Sequence, residues 1–136
     1  MKKNQIIISG LYIIVLTAQS FASSDVNQFC FKDNTQEEKK IVESNLITVK
    51  GIDSSVPVEI KGSGDYTLNG RYMGREKSMV KNGDQIRVRQ ESLSEDGGKI
   101  STMLIVGNTY DVFTTVTNRG NRTEDEYRIS SSPCQR

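Results

Sequence analysis

The sequence predicts an all-β protein, a small antiparallel sandwich held by one disulfide. Three observations predict it. Apolar residues recur with period two along nearly all of the chain after residue 22, turn residues interrupt that pattern at short intervals, and the only two cysteines, Cys30 and Cys134, lie near opposite ends of the same region. Period two places every second side chain on one face of a pleated strand, whereas a helix needs a period of 3.6. Short alternating runs separated by frequent turns are the pattern of a sandwich.

The first 24 residues, MKKNQIIISGLYIIVLTAQSFASS, stand apart. Lys2 and Lys3 precede an apolar run from Ile6 to about Ala18, and Ser20-Phe21-Ala22 has the small-x-small form that a signal peptidase reads. Residues 1–22 are therefore expected to be a signal peptide cleaved after Ala22. The run is short of the roughly 20 apolar residues that a membrane span requires, so the alternative of an uncleaved anchor is disfavoured. No cysteine follows the cut to carry a lipid. The expected location is the periplasm, or outside the cell as a secreted or surface protein, with no membrane attachment after cleavage.

Two of the chain's 18 basic residues lie in this leader, which leaves 16 against 17 acidic residues and a net charge of −1. A near-neutral chain without histidine is a poor match to a polyanion, so no nucleic-acid partner is expected. The remaining 114 residues suffice for one domain and not for two. In an oxidising compartment a lone cysteine pair is expected to form a disulfide, against free thiols or an intermolecular bridge. Closing so long a loop would stabilise the fold by about 4–5 kcal/mol on the chain-entropy account. A CxxC motif is absent, and two cysteines cannot supply the four ligands of a structural zinc site.

The strands follow in order. Phe29 and Phe31 alternate around Cys30, Leu46 to Val49 leads to Gly51, and Val56, Val58 and Ile60 alternate up to Gly62-Ser63-Gly64. Tyr66 and Leu68 precede an Asn69-Gly70 turn and Tyr72, a strong short hairpin signal because both turn residues tolerate positive φ. Asn82-Gly83-Asp84 is a further turn, and KISTMLIVGNTYDVFTTVT reads as two long strands joined at Gly107-Asn108. TQEEKKIVES is the one stretch with helical character, and its EEKK is expected as a solvated loop or strand edge. In KNGDQIRVRQES, Ile86 and Val88 are expected to face the core, with Arg87, Arg89 and Glu91 in water. Glu91, Glu95 and Asp96 interleave with the arginines and no aromatic residue is placed to stack a base, so this is the wet side of a strand.

Taken together, the runs FCFKDNT, SNLITVKGID, VPVEIKGSGDYTLNGRYM, VKNGDQIRVRQES and STMLIVGNTYDVFTTVT resemble an immunoglobulin-like β-sandwich repeat of bacterial exported and cell-surface proteins. The likeness covers about residues 29–117 and rests on the order and spacing of its pieces. It implies an immunoglobulin-like antiparallel β-sandwich over residues 23–117, an extracytoplasmic setting, and service as a spacer or binding repeat, with no catalytic residues. The departures are informative. Such repeats generally stand within larger proteins, and they carry a small polar residue where this chain has Cys30. Beyond them lies a tail, residues 118–136, that supplies Cys134. The tail is expected to return to the first strand, pinned there by the disulfide, with Tyr127 and Ile129 offering a short strand that protects an open edge.

The closing hairpin also departs from the resemblance, because it is apolar on both faces. If Leu104, Val106 and Phe113 face the core, then Met103, Ile105, Tyr110, Val112 and Val116 share the outer side. Strands that are apolar on both faces are ordinarily covered on both. Either the chain's own tail covers this patch, or a partner does.

Catalytic chemistry finds no support. The absence of histidine removes His-based triads and His-metal centres, and no serine sits in a GxSxG elbow or an SxxK pair. Asp53, Glu59, Asp65, Asp84, Glu95, Asp96 and Asp111 mostly adjoin turns, where aspartate serves the backbone, and their spacing is not that of a calcium loop. GSGDYTLNG lacks the Lys-Ser/Thr and the following helix of a phosphate loop. The expectation is a small exported non-catalytic, adhesion-type module, without cofactor or metal, that binds a protein or glycan partner. A self-assembling envelope protein, pairing through the closing hairpin, and a periplasmic inhibitor of a hydrolase are the alternatives.

Overall fold

A computed structural model describes residues 25–120 and Cys134. The expected signal peptide, and the tail apart from residues 118–120 and Cys134, lie outside the described residues. Among those described there is no helix, and no segment that is long and apolar enough to cross a membrane as one. The strands are β1 (Asn34–Gln36), β2 (Ile41–Glu43), β3 (Ile47–Thr48), β4 (Val56–Gly62), β5 (Asp65–Leu68), β6 (Arg71–Gly74), β7 (Ser78–Val80), β8 (Gln85–Glu91), β9 (Lys99–Val106) and β10 (Thr109–Thr117). They form two sheets, the first in the order β1-β10-β9-β4-β7 and the second in the order β2-β8-β5-β6, with β3 also paired to β8.

The two sheets enclose one core. Val58 of β4, Leu104 and Val106 of β9 and Phe113 of β10 come from the first sheet, while Tyr66 of β5 and Ile86 and Val88 of β8 come from the second, all of them buried. β8 shows why the alternation works. Ile86 and Val88 have no exposed surface, and Arg87 and Arg89 lie half-buried on the other side. The expected disposition of KNGDQIRVRQES is thus the observed one.

Turn chemistry also matches the expectation. Asn69 and Gly70 both have positive φ, 52° and 83°, as a type I′ hairpin between β5 and β6 requires. Gly107 opens the two-residue loop between β9 and β10 at φ 61°. EEKK is the turn from β1 to β2, with Lys39 at φ 55°, and not a helical turn. At the start of β8, the Asp84 carboxylate accepts the Lys81 N–H at 2.9 Å and the Asn69 side-chain amide at 3.1 Å. Burial pushes its pKa up, but these two hydrogen bonds and the Lys81 charge outweigh that, and the carboxyl is held below its usual range.

One expected strand is not formed. Phe29 and Phe31 alternate inward as anticipated, and Cys30 is exposed, yet residues 25–33 make no ladder and the first strand begins at Asn34. β1 runs parallel to β10 and pairs only with its last residues, Thr115–Thr117. Upstream of it, side chains take over from the ladder. Asp111 accepts the Phe31 N–H at 2.6 Å, and Asn45 brackets the next peptide, accepting from Lys32 N and donating to Cys30 O, both at 3.0 Å. Phe31 packs edge-on to Phe29 and tilted against Phe113, with centroids 5.9 and 5.7 Å apart.

Cys30 and Cys134 are bonded, with their Cα atoms 5.7 Å apart across a separation of 104 residues. Gly120 lies just past the C-terminal end of β10, whereas Cys134 lies near its N-terminal end. There the Gln28 amide donates to both Tyr110 O and Cys134 Sγ. The disulfide therefore joins the end of the chain to the irregular segment beside β10 and not to a first strand, as had been expected.

A polar network sits inside the apolar core. Gln90 of β8 is buried and accepts the Thr102 hydroxyl of β9 at 2.7 Å. Its amide donates to the Thr115 hydroxyl at 2.8 Å and to Phe113 O at 3.2 Å. Thr102 Oγ1 also accepts Gly64 N–H at 2.8 Å. Gly64 is a contact glycine, since a Cβ there would stand 2.3 Å from Arg89 O and 2.5 Å from Thr102 Oγ1.

Two predictions follow from these positions. Gly64→Ala should cost about 3 kcal/mol or more by overpacking. Gly70→Ala, with nothing within 4 Å of its Cβ, should cost only about 1 kcal/mol through its positive φ. Urea midpoints of the two variants check the order, and an equal loss would contradict it. For Asp84 the folded-state pKa is depressed, so its contribution is complete above the unfolded value of about 3.9 and is lost as pH falls through the lower folded value. Asp84→Asn should be less stable than the parent at pH 7, and the gap in denaturation midpoint should close as the pH drops below about 4.

Candidate interaction surface

The ladder of the first sheet sets which side chains share its outer face. In β4, Pro57, Glu59 and Lys61 alternate outward with the buried Val56, Val58 and Ile60. In β9, Met103 and Ile105 alternate outward with Thr102, Leu104 and Val106. The register aligns Glu59 with Ile105 and Ile105 with Tyr110, then Lys61 with Met103 and Met103 with Val112. Two rows therefore cross the sheet, Glu59·Ile105·Tyr110 and Lys61·Met103·Val112, separated by the inward row of Ile60, Leu104 and Asp111. Met79 of β7 stands beside Pro57 at the sheet's edge and is 60% exposed.

The five residues expected on this face do share it, but they differ in access. Met103 and Ile105 are half-buried and Tyr110 is exposed. Val112 and Val116 are already buried, at 9% and 1% exposure, although they point away from the core between the sheets. The accessible apolar surface is thus Met103, Ile105 and Tyr110, continued by Pro57 and Met79. These last two were missed in the sequence. The outward parity of β4 was legible there, but the pairing that brings Met79 beside Pro57 was not.

The outer face of the second sheet has a different character. Its central strand β8 aligns Arg89 with Glu43 on one side and Asp65 on the other. Arg89 Nε lies 3.7 Å from Asp65 and its guanidinium covers the Tyr72 ring at 5.3 Å, while Arg87 donates to Ser44 O at 2.9 Å. The Tyr72 hydroxyl donates to Asp65 at 3.1 Å. That hydrogen bond first, then the Asp65 charge and some desolvation, raise the phenol pKa above its ordinary value against the opposing effect of Arg89. The arginines of this face are committed to partners within the chain.

Elsewhere, an open groove between the β1–β2 turn and residues 118–120 is lined by Glu37, Glu38, Lys40 and Arg119, whose charges oppose one another. Arg119 lies 3.7 Å from Glu38 and Lys40 lies 3.8 Å from Glu37. Among the described residues no three side chains of the metal-ligating types gather into a candidate metal site. Of the turn carboxylates, Asp84 and Asp111 serve backbone donors. In comparisons with known proteins the chain matches no family model, no curated protein and no solved structure.

The Tyr72 assignment is directly measurable. Asp65→Ala removes both the acceptor and the charge that lead in raising the phenol, so one tyrosine should ionise at lower pH in an ultraviolet phenolate titration than it does in the parent. An unchanged titration curve would show that Asp65 does not govern Tyr72.

Proposed function

We propose that this chain is an exported, non-catalytic binding module that recognises a protein partner through the outer face of its first sheet. The observation that carries this reading is the contrast between the two outer faces. On one, Arg89 is paired with Asp65 and stacked on Tyr72, and the exposed Ile41 stands at the sheet's edge beside Glu91, whereas the other presents Met103, Ile105, Tyr110, Pro57 and Met79 together. Apolar side chains gathered on one sheet face, with a polar periphery, suit a protein better than a glycan. A sugar site would call for several exposed rings, and Tyr110 is the one aromatic on this face among the described residues.

Export is supported by the disulfide together with the leader-like first 22 residues. Kinship with immunoglobulin-like repeats is supported by strand order. β10-β9-β4 and β2-β8-β5 have the neighbours of strands G-F-C and B-E-D in such a sandwich, with β6 and β7 added between D and E. The face is a better docking surface than the sheet's edge. β7 is only three residues long and is flanked by Lys77 and Lys81, which discourages strand addition.

Site-specific photo-cross-linking in the producing cell tests the reading. A photoreactive residue at Ile105 should give protein adducts, and one at Glu43, on the outer face of the second sheet, should give none. Absence of adducts from position 105, or equal adducts from both positions, would refute it.

A further inference from the structure

The outer face of the first sheet is complementary to itself, and we infer that its partner is a second copy of this chain, docked face to face about a two-fold axis. The inference rests on the binding role proposed for this face and names its occupant. It starts from the two rows, Glu59·Ile105·Tyr110 and Lys61·Met103·Val112, which flank the inward row of Ile60, Leu104 and Asp111.

A two-fold axis relating two stacked sheets lies in the plane between them. If the axis runs along the inward row, across the strands, it lays each strand over its own copy in the opposite direction and exchanges the two rows. Glu59 then faces Lys61 of the second copy, Lys61 faces its Glu59, and Ile105 and Met103 face one another twice. The competing axis, parallel to the strands, leaves each row on itself. Placed over β4 it sets Glu59 against Glu59, and placed over β9 it sets Glu59 and Lys61 against the apolar β10 column. Like charges and unpaired charges are both costly in an interface. Only the crossing axis pairs opposite charges and apolar side chains at once.

Glu59 and Lys61 are available for this role. Neither takes part in the ion pairs of the described residues, and both stand outward on β4, Lys61 exposed and Glu59 half-buried. They are also the charges nearest the centre of the apolar patch, since Glu59 aligns with Ile105 and Lys61 with Met103. An isologous contact of this kind closes on itself, so the product is a dimer and not a fibre. Val112 and Val116 of β10 are already buried and β7 is short, so the contact is made by β4 and β9 with Met79 and Tyr110 at its sides, about three strands 4.8 Å apart and roughly 20 Å long, on the order of 300 Å² per copy. This lies below the approximately 800 Å² per partner of a standard interface, so the dimer is a weak, reversible one.

Charge reversal tests the register. Sedimentation equilibrium of the disulfide-bonded protein, processed as the producing cell makes it, should show a monomer–dimer equilibrium from micromolar to millimolar concentration. Glu59→Lys or Lys61→Glu alone sets two like-charge pairs into the dimer and should weaken self-association at least about tenfold. The double reversal Glu59→Lys/Lys61→Glu should restore it, and an equimolar mixture of the two single variants should form a heterodimer. A protein that stays monomeric throughout, or whose association ignores the reversals, overturns the two-fold. The cross-link from Ile105 separates this failure from failure of the binding role. An adduct with another protein keeps the face as a binding surface and removes the second copy as its occupant, and no adduct at all removes both.

Discussion

The network joining Gly64, Thr102, Gln90 and Thr115 is the constraint on which the remaining geometry depends. It is polar, buried, and spans both sheets, since Gln90 belongs to β8 while Thr102 and Thr115 belong to β9 and β10. A slip of β9 by one residue would carry Thr102 out to solvent and strand its partners, while driving Met103 into the core. Unpartnered polar groups in the interior cost about 1–3 kcal/mol each, so the network selects one register far more sharply than apolar contacts alone. The outward placement of Met103 and Ile105, and hence the character of the surface, follows from that register.

The same strands explain how the sandwich manages its borders. Sheet edges expose unpaired backbone groups, and each end of the first sheet is treated differently. At β7 the edge is short and flanked by lysines. At β10, β1 covers only the last three residues in parallel, and the stretch before it is finished by Asp111, Asn45 and Gln28 acting on backbone groups. The disulfide then fastens Cys134 to this irregular segment. Side-chain hydrogen bonds do here what a ladder would do in a longer strand, and they bind the stretch that carries Cys30 closely enough for the disulfide to reach.

The two outer faces divide the work. On the second sheet, Glu43, Asp65 and Tyr72 surround Arg89 and Arg87 donates to Ser44 O, so the arginines of QIRVRQ are engaged within the chain. On the first sheet, Glu59 and Lys61 stand among apolar neighbours with their charges unspent. It is on the first sheet, whose charges are not met within the chain, that the proposed partner docks.

The sequence by itself determined the periodic features. Alternation of Ile86 and Val88 with arginines assigned two faces to a strand, Asn69-Gly70 assigned a hairpin, and a lone cysteine pair assigned a disulfide, because each of these is a local rule or a matter of counting. It also identified Met103, Ile105, Tyr110, Val112 and Val116 as one face. The tertiary structure alone decided how open that face is, leaving Tyr110 exposed and burying Val112 and Val116. It decided that Phe29 and Phe31 alternate without forming a strand, because no neighbouring ladder is offered to them there. It turned Gln90, which reads as one more polar residue in an arginine-rich stretch, into the centre of the core network. Period two tells which residues point together, but not which strands become neighbours or in what register. Those are set by long-range pairing, and they bring Glu59 and Lys61 into line with a hairpin more than 40 residues away.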